Sequence, residues 1–440
     1  MEEIIEQMKI EKYSNYKDSG IEWLGEMPAE WQLLSNKYIF NLKKNQVGKK
    51  SGNYVLLSLT LNGVIKRDME NPQGKFPAEF DTYQEVKKGD FIFCLFDVEE
   101  TPRAVGLSDY DGMITGAYTV MEPVANFDRT FLYYFYLNLD ADKRMRSLYK
   151  GLRNTIPKES FFSFKTFVPP LKEQTAIASF LDRKTAQIDK AISIKEQQIE
   201  LLKERRQILI HQAVTQGLNP NVKMKDTRVE WIGEIPEHWD LVPVRRIMDI
   251  RDGTHDTPAY VEDGVDAVPL VTSKDFENGL IKFENIKKIS RKDHISISKR
   301  SAVNKDDVLM SMIGGNIGKS VIVGDYFDFS VKNVALFKTL GDNFLAKYLL
   351  FYFESGLLQN QIDLKSRGGA QGFLSLGDIR NLVFFKLPLE ERNKIVHYLE
   401  SNISLRISSA ITCKEKEIEK LKEYKATLIN SAVTGKIKVV

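Results

Sequence analysis

The densest run of potentially chemical residues is Gly314-Gly315-Asn316-Ile317-Gly318-Lys319-Ser320. A phosphate-binding loop needs Gly-x4-Gly-Lys-Ser/Thr, because backbone N–H groups and the lysine must wrap a polyphosphate. That spacing asks for glycine at 313, where the chain has Ile313, and Gly314 comes one place late. The flanking runs Val308–Met312 and Ser320–Val323 are both strand-like, so the context is strand–turn–strand. The pattern predicts a β-hairpin whose glycine turn presents Asn316 and Lys319 rather than an ATP site. No Gly-x-Gly-x-x-Gly dinucleotide loop and no (Asn/Asp)-Pro-Pro-aromatic methyltransferase motif occurs; Asn71-Pro72-Gln73-Gly74 lacks the second proline and the aromatic residue. His211, His238, His255, His294 and His397 show no metal-ligand spacing, and Cys94 and Cys413 suffice for neither a disulfide framework nor a zinc site. Two sizeable domains without a catalytic constellation point to a binder, with no cofactor of its own.

The residues that remain suit the reading of base edges. Arg251-Asp252-Gly253-Thr254-His255-Asp256-Thr257-Pro258 is a glycine-containing loop after a strand, offering Thr254 and His255. Ser366–Gly372 offers Arg367 and Gln371, side chains that can make bidentate contacts to bases. Lys150-Gly151-Leu152-Arg153-Asn154 is the matching place in the first half, with Arg153 and Asn154, and Arg103 lies in another loop. Lys66 and Arg67 rank lower because Asp68 and Glu70 offset their charge. Each of these taken singly is more readily a solvated surface charge than a DNA contact; the set carries the argument.

The elements that must position these loops are duplicated. Lys17–Trp31 and Lys225–Trp239 align without a gap at an offset of 208, and all four tryptophans lie in these two segments. A repeat of that length means duplication of a whole module, with the tryptophans expected as core anchors at the entry to each domain. A second repeat is helical. Ile188, Ile192, Lys195, Ile199, Leu202, Arg206, Leu209 and Ala213 alternate gaps of four and three, and each position recurs 219 residues later as Ile407, Ile411, Lys414, Ile418, Leu421, Lys425, Leu428 and Ala432. A 3.5-residue apolar period is a coiled-coil seam, so the two helices are expected to pack on each other. Val168-Pro169-Pro170-Leu171-Lys172-Glu173-Gln174 and Leu387-Pro388-Leu389-Glu390-Glu391-Arg392 are junctions, each expected to lead through a short helix into its long one. Gly217 and Gly435 fit as helix ends.

The globular segments 32–168 and 240–386 read as mixed α+β, without regular strand–helix alternation. Strand-like runs in the first are Tyr54–Leu59, Asp90–Leu95, Gly116–Met121 and Phe164–Val168, followed or preceded by a helix with Asp128 as N-cap. The interiors differ greatly, yet Lys88-Gly89-Asp90-Phe91 and Lys305-Asp306-Asp307-Val308 keep a common turn before an apolar strand. A shared framework with divergent interiors suits two domains reading different targets. The 440-residue chain is 42% hydrophobic and 28% charged with a formal charge of +3, ordinary for two or three globular domains, and that charge neither demands nor excludes nucleic acid. The acidic N-terminus is not a signal peptide and no run approaches the ~18 apolar residues of a membrane span, so a cytoplasmic protein is expected.

Taken together, two divergent domains alternating with two repeated helices, the segments Ile21–Trp31 and Pro169–Gln174, Gly253-Thr254-His255, and Ala213-Val214-Thr215 with its copy Ala432-Val433-Thr434 resemble the DNA-specificity subunit of Type I restriction-modification systems. The resemblance covers the chain from about Lys17 to Gly435; Arg392, standing where the first copy has Gln174, departs from it. Residues 1–16 themselves read as a short polar helix or tail; the resemblance implies 17–170 and 218–388 as target recognition domains, and 171–217 and 389–440 as helical spacers pairing antiparallel in a pseudo-twofold repeat. The seam residues Ile188, Ile192, Ile199, Leu202 and Leu209, with Ile407, Ile411, Ile418, Leu421 and Leu428, would form that coiled coil. The stretch from Ile188 to Ala213 would span roughly 38 Å at 1.5 Å per residue, close to one turn of B-DNA at about 34 Å. The resemblance further implies a non-catalytic subunit that binds a bipartite double-stranded DNA target. It would recruit two modification subunits, which hold S-adenosylmethionine and methylate adenine, and motor-nuclease restriction subunits, which use ATP and Mg.

Overall fold

The computed structural model describes residues 11–21, 24–68, 80–101, 103–277, 279–325, 328–365 and 373–439. The chain divides into two compact units, Met1–Lys195 with Lys416–Val440, and Glu196–Glu415. Each unit therefore contains one globular segment and a portion of both helical repeats.

The divergent interiors are built on one sheet plan. The first unit has a four-stranded antiparallel sheet in the order Phe40–Leu42, Thr119–Pro123, Phe91–Phe93, Val105–Leu107. The second has Asp249–Asp252, Val334–Lys338, Val308–Ser311, Ser320–Ile322 in the same order. Phe91–Phe93 and Val308–Ser311 are buried along their whole length. Their sequences are accordingly continuous apolar runs rather than alternating ones, as strands covered on both faces require. A helix follows the sheet in each unit, Arg129–Ala141 and Asn343–Glu354, capped by Asp128 and Asp342, whose carboxylates accept the N–H of Phe131 and Leu345. The expected strands Tyr54–Leu59 and Gly116–Met121 are shifted to Leu57–Thr60 and Thr119–Pro123, because Gly48–Asn53 forms a short 3-10 turn and Tyr118 closes a turn on Thr115. The predicted hairpin around Gly314 is present: Val308–Ser311 pairs with Ser320–Ile322 across a turn at Gly314–Asn316.

The shared Lys-x-Asp turn has a physical cause. Its middle residue is left-handed in both copies, Gly89 at φ +88 and Asp306 at φ +65. The aspartate that follows is buried and closes the turn: Asp90 accepts Lys87 N–H at 2.7 Å, and Asp307 accepts Asn304 N–H at 2.7 Å. Each carboxylate is neutralised by a lysine, Lys43 at 2.7 Å in the first unit and Lys338 in the second. An unpaired buried carboxylate would cost several kcal/mol, so the lysine is obligatory even though it comes from a different strand in each copy.

The two sequence repeats meet in each unit. Trp31 and Trp239 are fully buried, while Trp231 is only partly buried and Trp23 lies outside the described residues. The indole N–H of Trp31 donates to Glu173 at 3.2 Å, and that of Trp239 to Glu391 at 3.0 Å. Thus the glutamate of each Pro-Leu-x-Glu junction anchors the tryptophan of the entry module. Tyr13 also donates to Glu173 and packs edge-on against Trp31, which fastens the described part of the N-terminal segment to the first unit. The departure at Arg392 leaves the junction intact. Gln174 accepts the backbone N–H of Asp128 at 2.9 Å, whereas Arg392 donates to the Asp342 carboxylate at 2.7 Å; both fasten the junction to the cap of the same helix.

The junctions differ from the expected short helix leading to a long one. Leu171–Gln216 is a single 46-residue helix. The second copy runs as α-helix over Leu389–Leu399, π-helix over Glu400–Ser408 and α-helix over Ser409–Val433. The sequence explains the asymmetry. Ile188 follows Leu181 by seven positions, but its counterpart Ile407 follows Leu399 by eight. A π-turn, closed by i→i+5 hydrogen bonds, absorbs one extra residue, so both ends of the insertion keep their buried faces: Leu399 and Ile407 are 0% and 6% exposed.

The helices pair antiparallel in the first unit. In the first, Asp189 meets Lys425 at 2.6 Å and Lys195 meets Glu417 at 2.5 Å, with Ile188, Ile192, Ile418 and Leu428 buried and Leu421 partly so. In the second, Ile199 and Ile407 are buried, and Leu202, Leu209 and Ile411 pack against the domain core. Of the cationic seam positions, Lys195 and Lys425 make these ion pairs and Arg206 pairs with Glu354 at 2.6 Å. Both long repeats end on a left-handed glycine, Gly217 at φ +74 and Gly435 at φ +73. A Cβ on Gly435 would stand 2.4 Å from the rigid ring of Pro28, but one on Gly217 no nearer than 3.0 Å to Glu391. Gly435→Ala should therefore cost more than the ~1 kcal/mol of left-handed strain alone, and more than Gly217→Ala. Chemical unfolding of both full-length variants checks the order, and equal losses would refute the steric argument.

Candidate nucleic-acid interface

The second unit carries a polar cavity of about 460 Å³ lined by Tyr260, Lys274, Asn285, Lys287, Lys332 and Asn333, among others. Three elements build it. Tyr260–Val261, Lys288–Ser290, Ala267–Val271 and Ser330–Val331 form a second four-stranded sheet, in that order, beside the common one. Turns leave this sheet at Ser273–Asp275, Asn285 and Asn333, and Asn285 and Asn333 are left-handed at φ +61 and +55. Asparagine tolerates that conformation better than most residues, and it brings a side-chain amide with it. Asp275 is spent on a capping box with Thr272, accepting its N–H at 2.7 Å.

The cavity is cationic and aromatic at once. Lys287 stands 4.5 Å over the exposed ring of Tyr260. Lys332 donates to Thr257, and Lys274 is exposed. Such a combination holds phosphate oxygens by charge and offers a π-face and amide groups to bases.

The predicted residues distribute unevenly about this site. Thr254 bridges to Lys332, with its N–H on Val331 at 2.9 Å, and His255 lies 3.3 Å from Asn333 and 2.9 Å from Asp252, so the Gly253–Pro258 loop borders the cavity. Gly253 is required there, because a Cβ would sit 2.4 Å from the Val331 carbonyl. Asn316 is exposed on its turn; Ile313 at the start of the same segment lines the cavity. Lys319 donates to the Phe276 carbonyl at 2.5 Å, which ties the turn to the Ser273–Asp275 side. Arg367 and Gln371 lie outside the described residues. In the first unit Arg103 is half-buried and donates to Tyr133 at 2.9 Å, and Arg153 chelates Asp97 at 2.7 and 3.1 Å, so both guanidinium groups already have protein partners. Asn154 supports the same turn at φ +44.

Sequence reasoning missed Tyr260, Lys274, Asn285, Lys287, Lys332 and Asn333, whose separate loops leave no spacing to recognise. It also missed Lys43-Lys44-Asn45-Gln46-Val47-Gly48-Lys49-Lys50. This segment follows the first strand of the common sheet, the place that Gly253–Pro258 occupies in the second unit. Lys44, Lys49 and Lys50 are exposed there. Four lysines in eight residues were a visible signal.

No metal-holding group of three or more His, Cys, Asp or Glu occurs among the described residues, and no described helix is long and apolar enough to cross a membrane. No family model matches the chain. Curated relatives are specificity subunits of Type I restriction enzymes. The putative MjaX specificity subunit of Methanocaldococcus jannaschii is 24% identical over 452 residues, covering 97% of this chain and 98% of its own length. The MjaVIII specificity subunit of the same organism is 24% identical over 315 residues, 70% of each chain. The EcoBI specificity subunit of Escherichia coli is 29% identical over 240 residues, 53% of this chain and 50% of its own. Among solved structures, a chain from a study of assembly and conformational transition in the type I R-M system superposes with TM-score 0.69 at 14% identity, over 93% of this chain and 99% of the other. The HsdS subunit of Thermoanaerobacter tengcongensis superposes with TM-score 0.53 at 15% identity, over 93% and 98%. The fold is thus that of Type I specificity subunits.

Proposed function

We infer that this chain, sharing the fold of Type I specificity subunits and aligned with one of them over 97% of its length, is a non-catalytic DNA-recognition subunit. One observation carries the reading beyond likeness. The same four-stranded sheet is built twice, and at the same strand end the two copies present unrelated polar loops, Lys43–Lys50 and Gly253–Pro258. A constant frame with exchangeable loops is what reading two different half-sites requires, since bases are distinguished by side-chain donors and acceptors and not by the scaffold. Arg103, Arg153, Asn154, Thr254, His255, Asn316, Lys319, Arg367 and Gln371 remain candidates for contact. Arg103 and Arg153 contribute to DNA contact only by exchanging or sharing their present partners.

Methylation and cleavage then belong to partners. Two modification subunits would bring S-adenosylmethionine and act on adenine, and restriction subunits would bring ATP and Mg. This chain supplies the address, in a cytoplasmic complex.

The test is a map of modified adenines in cells expressing the chain with its modification subunit, beside cells lacking only this chain. A bipartite motif with a fixed gap should appear in the first and vanish in the second. Exchanging residues 240–386 for another such domain should alter one half of the motif. Assembled subunits that yield no motif dependent on this chain would end the proposal.

A further inference from the structure

We propose that Asn333 reads one base edge in the half-site held by the second unit, and that His255, steadied by Asp252, decides whether its amide offers that edge an acceptor or a donor. The proposal rests on the DNA-recognition reading above. The three residues form one short chain of contacts. His255 Nε2 lies 2.9 Å from the Asp252 carboxylate, and its Nδ1 lies 3.3 Å from Asn333 Oδ1. The backbone holds both ends of this chain in place. Gly253 N–H donates to the Val334 carbonyl and Thr254 N–H to the Val331 carbonyl, each at 2.9 Å, and Asn333 N–H returns to the Thr254 carbonyl at 3.2 Å. Asn333 is left-handed at φ +55 and its own carbonyl accepts Met312 N–H at 3.4 Å, so only its side chain remains free to turn. The residue lines the cationic cavity together with Lys332.

The polarity of the chain follows from the chemistry of its members. An ionised carboxylate only accepts, so the hydrogen between Asp252 and His255 sits on Nε2. Nδ1 then has two states. In the imidazolium it donates and must face Oδ1, the contact that the structure shows; the amide nitrogen is left for the cavity, with hydrogens to give. In the neutral imidazole it accepts, and the amide must make a half-turn to bring Nδ2–H against it; the oxygen is then left for the cavity. In the major groove a donor suits guanine O6 and N7 or thymine O4, whereas an acceptor suits the amino group of adenine or cytosine. One side chain thus favours different bases, the choice made by a proton on its neighbour. The other charged groups about His255 come from several elements. Asp252 also lies 3.6 Å from Arg300, on helix Arg291–Ser301. Arg251 is paired with Asp249 at 2.7 Å, Lys332 donates to Thr257, and Asp256 is exposed next to His255 in the loop. His294, on the same helix as Arg300, is buried against Ser330 at 3.0 Å, and burial holds its pKa below the ordinary histidine value. Between about pH 5 and 8 the side-chain type whose charge ordinarily changes is histidine.

The experiment uses the full chain assembled with its modification subunits and duplexes of the mapped target. Each base pair of the half that changes when residues 240–386 are exchanged is replaced in turn, and binding is measured at about pH 5.5 and about pH 8, either side of ordinary histidine titration. One position, the same one that loses its preference in Asn333→Ala, should favour guanine or thymine on one strand at the lower pH. At the higher pH it should favour adenine or cytosine, a change in the affinity ratio of about tenfold or more. His255→Ala should remove the pH dependence at that position while leaving His294 untouched. Asn333→Asp, which has oxygens alone and tolerates the left-handed turn, should favour adenine or cytosine there at both pH values. A wild-type preference that is the same at both pH values throughout that half overturns the proposal, as does a reversal that persists in His255→Ala or in Asn333→Asp. A wild-type complex that binds the mapped duplex no better than unrelated DNA at either pH refutes the recognition reading itself, a failure distinguishable from that of the Asn333 contact alone.

Discussion

Replacing Lys274, Lys287 and Lys332 together with alanine is expected to lower the DNA affinity of the assembled complex by about 10²–10³-fold at moderate salt. These lysines line one cavity, and the carboxylate among them, Asp275, is engaged with Thr272. Each phosphate contact releases counterions, so the slope of log affinity against log salt should flatten by about 0.9 per contact, or roughly 2.7 for three. The loss should be nearly uniform across DNA sequences. Asn285→Ala or Asn333→Ala should instead relax the preference within one half of the motif while leaving the slope alone. Lys305→Ala is the control, since Lys305 is an exposed partner of Asp325 at 2.7 Å away from the cavity. Titrations at four salt concentrations decide the matter. A triple variant within fivefold of wild type, with its slope intact, would show that the cavity does not face phosphate.

Trp239→Ala should cost the second unit about 3–5 kcal/mol, the range for truncating a fully buried large aromatic ring. Its ring has no exposure, packs 5.8 Å from Phe385, and donates its N–H to Glu391. Truncation therefore opens a cavity and also leaves Glu391 with one donor fewer, though His238 still reaches it at 2.7 Å. Glu391→Gln should be milder, about 1–2 kcal/mol, because an amide oxygen still accepts from the indole. Two compact units need not unfold together, so a single midpoint would mislead. Hydrogen exchange read separately over residues 224–243 and 16–35 resolves them. Trp239→Ala should lose protection in the first range and spare the second, and Trp31→Ala should do the reverse. Unchanged protection at 224–243 in Trp239→Ala would refute the anchoring role.

The scaffold was legible because it is periodic or duplicated. The seam Ile188-Ile192-Ile199 follows from helical spacing alone, and the paired tryptophan modules follow from self-comparison. The Trp239–Glu391 contact was not legible, since nothing in either repeat says that the two repeats touch. The π-helix leaves no trace in the seam, whose positions keep one offset throughout, because the extra residue between Leu399 and Ile407 falls before the first of them. Strand limits such as Leu57–Thr60 depend on which turn wins locally, a contest that Gly48–Asn53 decides by hydrogen bonds invisible to propensity. The candidate site was read least well. Two of the loop arginines that suit base reading by type, Arg103 and Arg153, are engaged by Tyr133 and Asp97. The cavity's own lysines come from three unrelated turns that only folding brings together.

The π-helix also bears on how such a chain can change over time. Adding one residue to an α-helix turns everything beyond it by about 100° and advances it by ~1.5 Å. In the second unit that rotation would carry Ile407 off the face on which Ile395 and Leu399 are buried, and selection would remove the insertion at once. A segment able to hold the surplus in a wider loop of helix separates angle from length. It lets single-residue insertions and deletions persist as nearly neutral variation, so spacer length becomes a trait reachable in small steps. Lineages descending from such a chain would be expected to differ in arm length at Glu400–Ser408 far more often than within Leu171–Gln216, where a continuous helix offers no such slack.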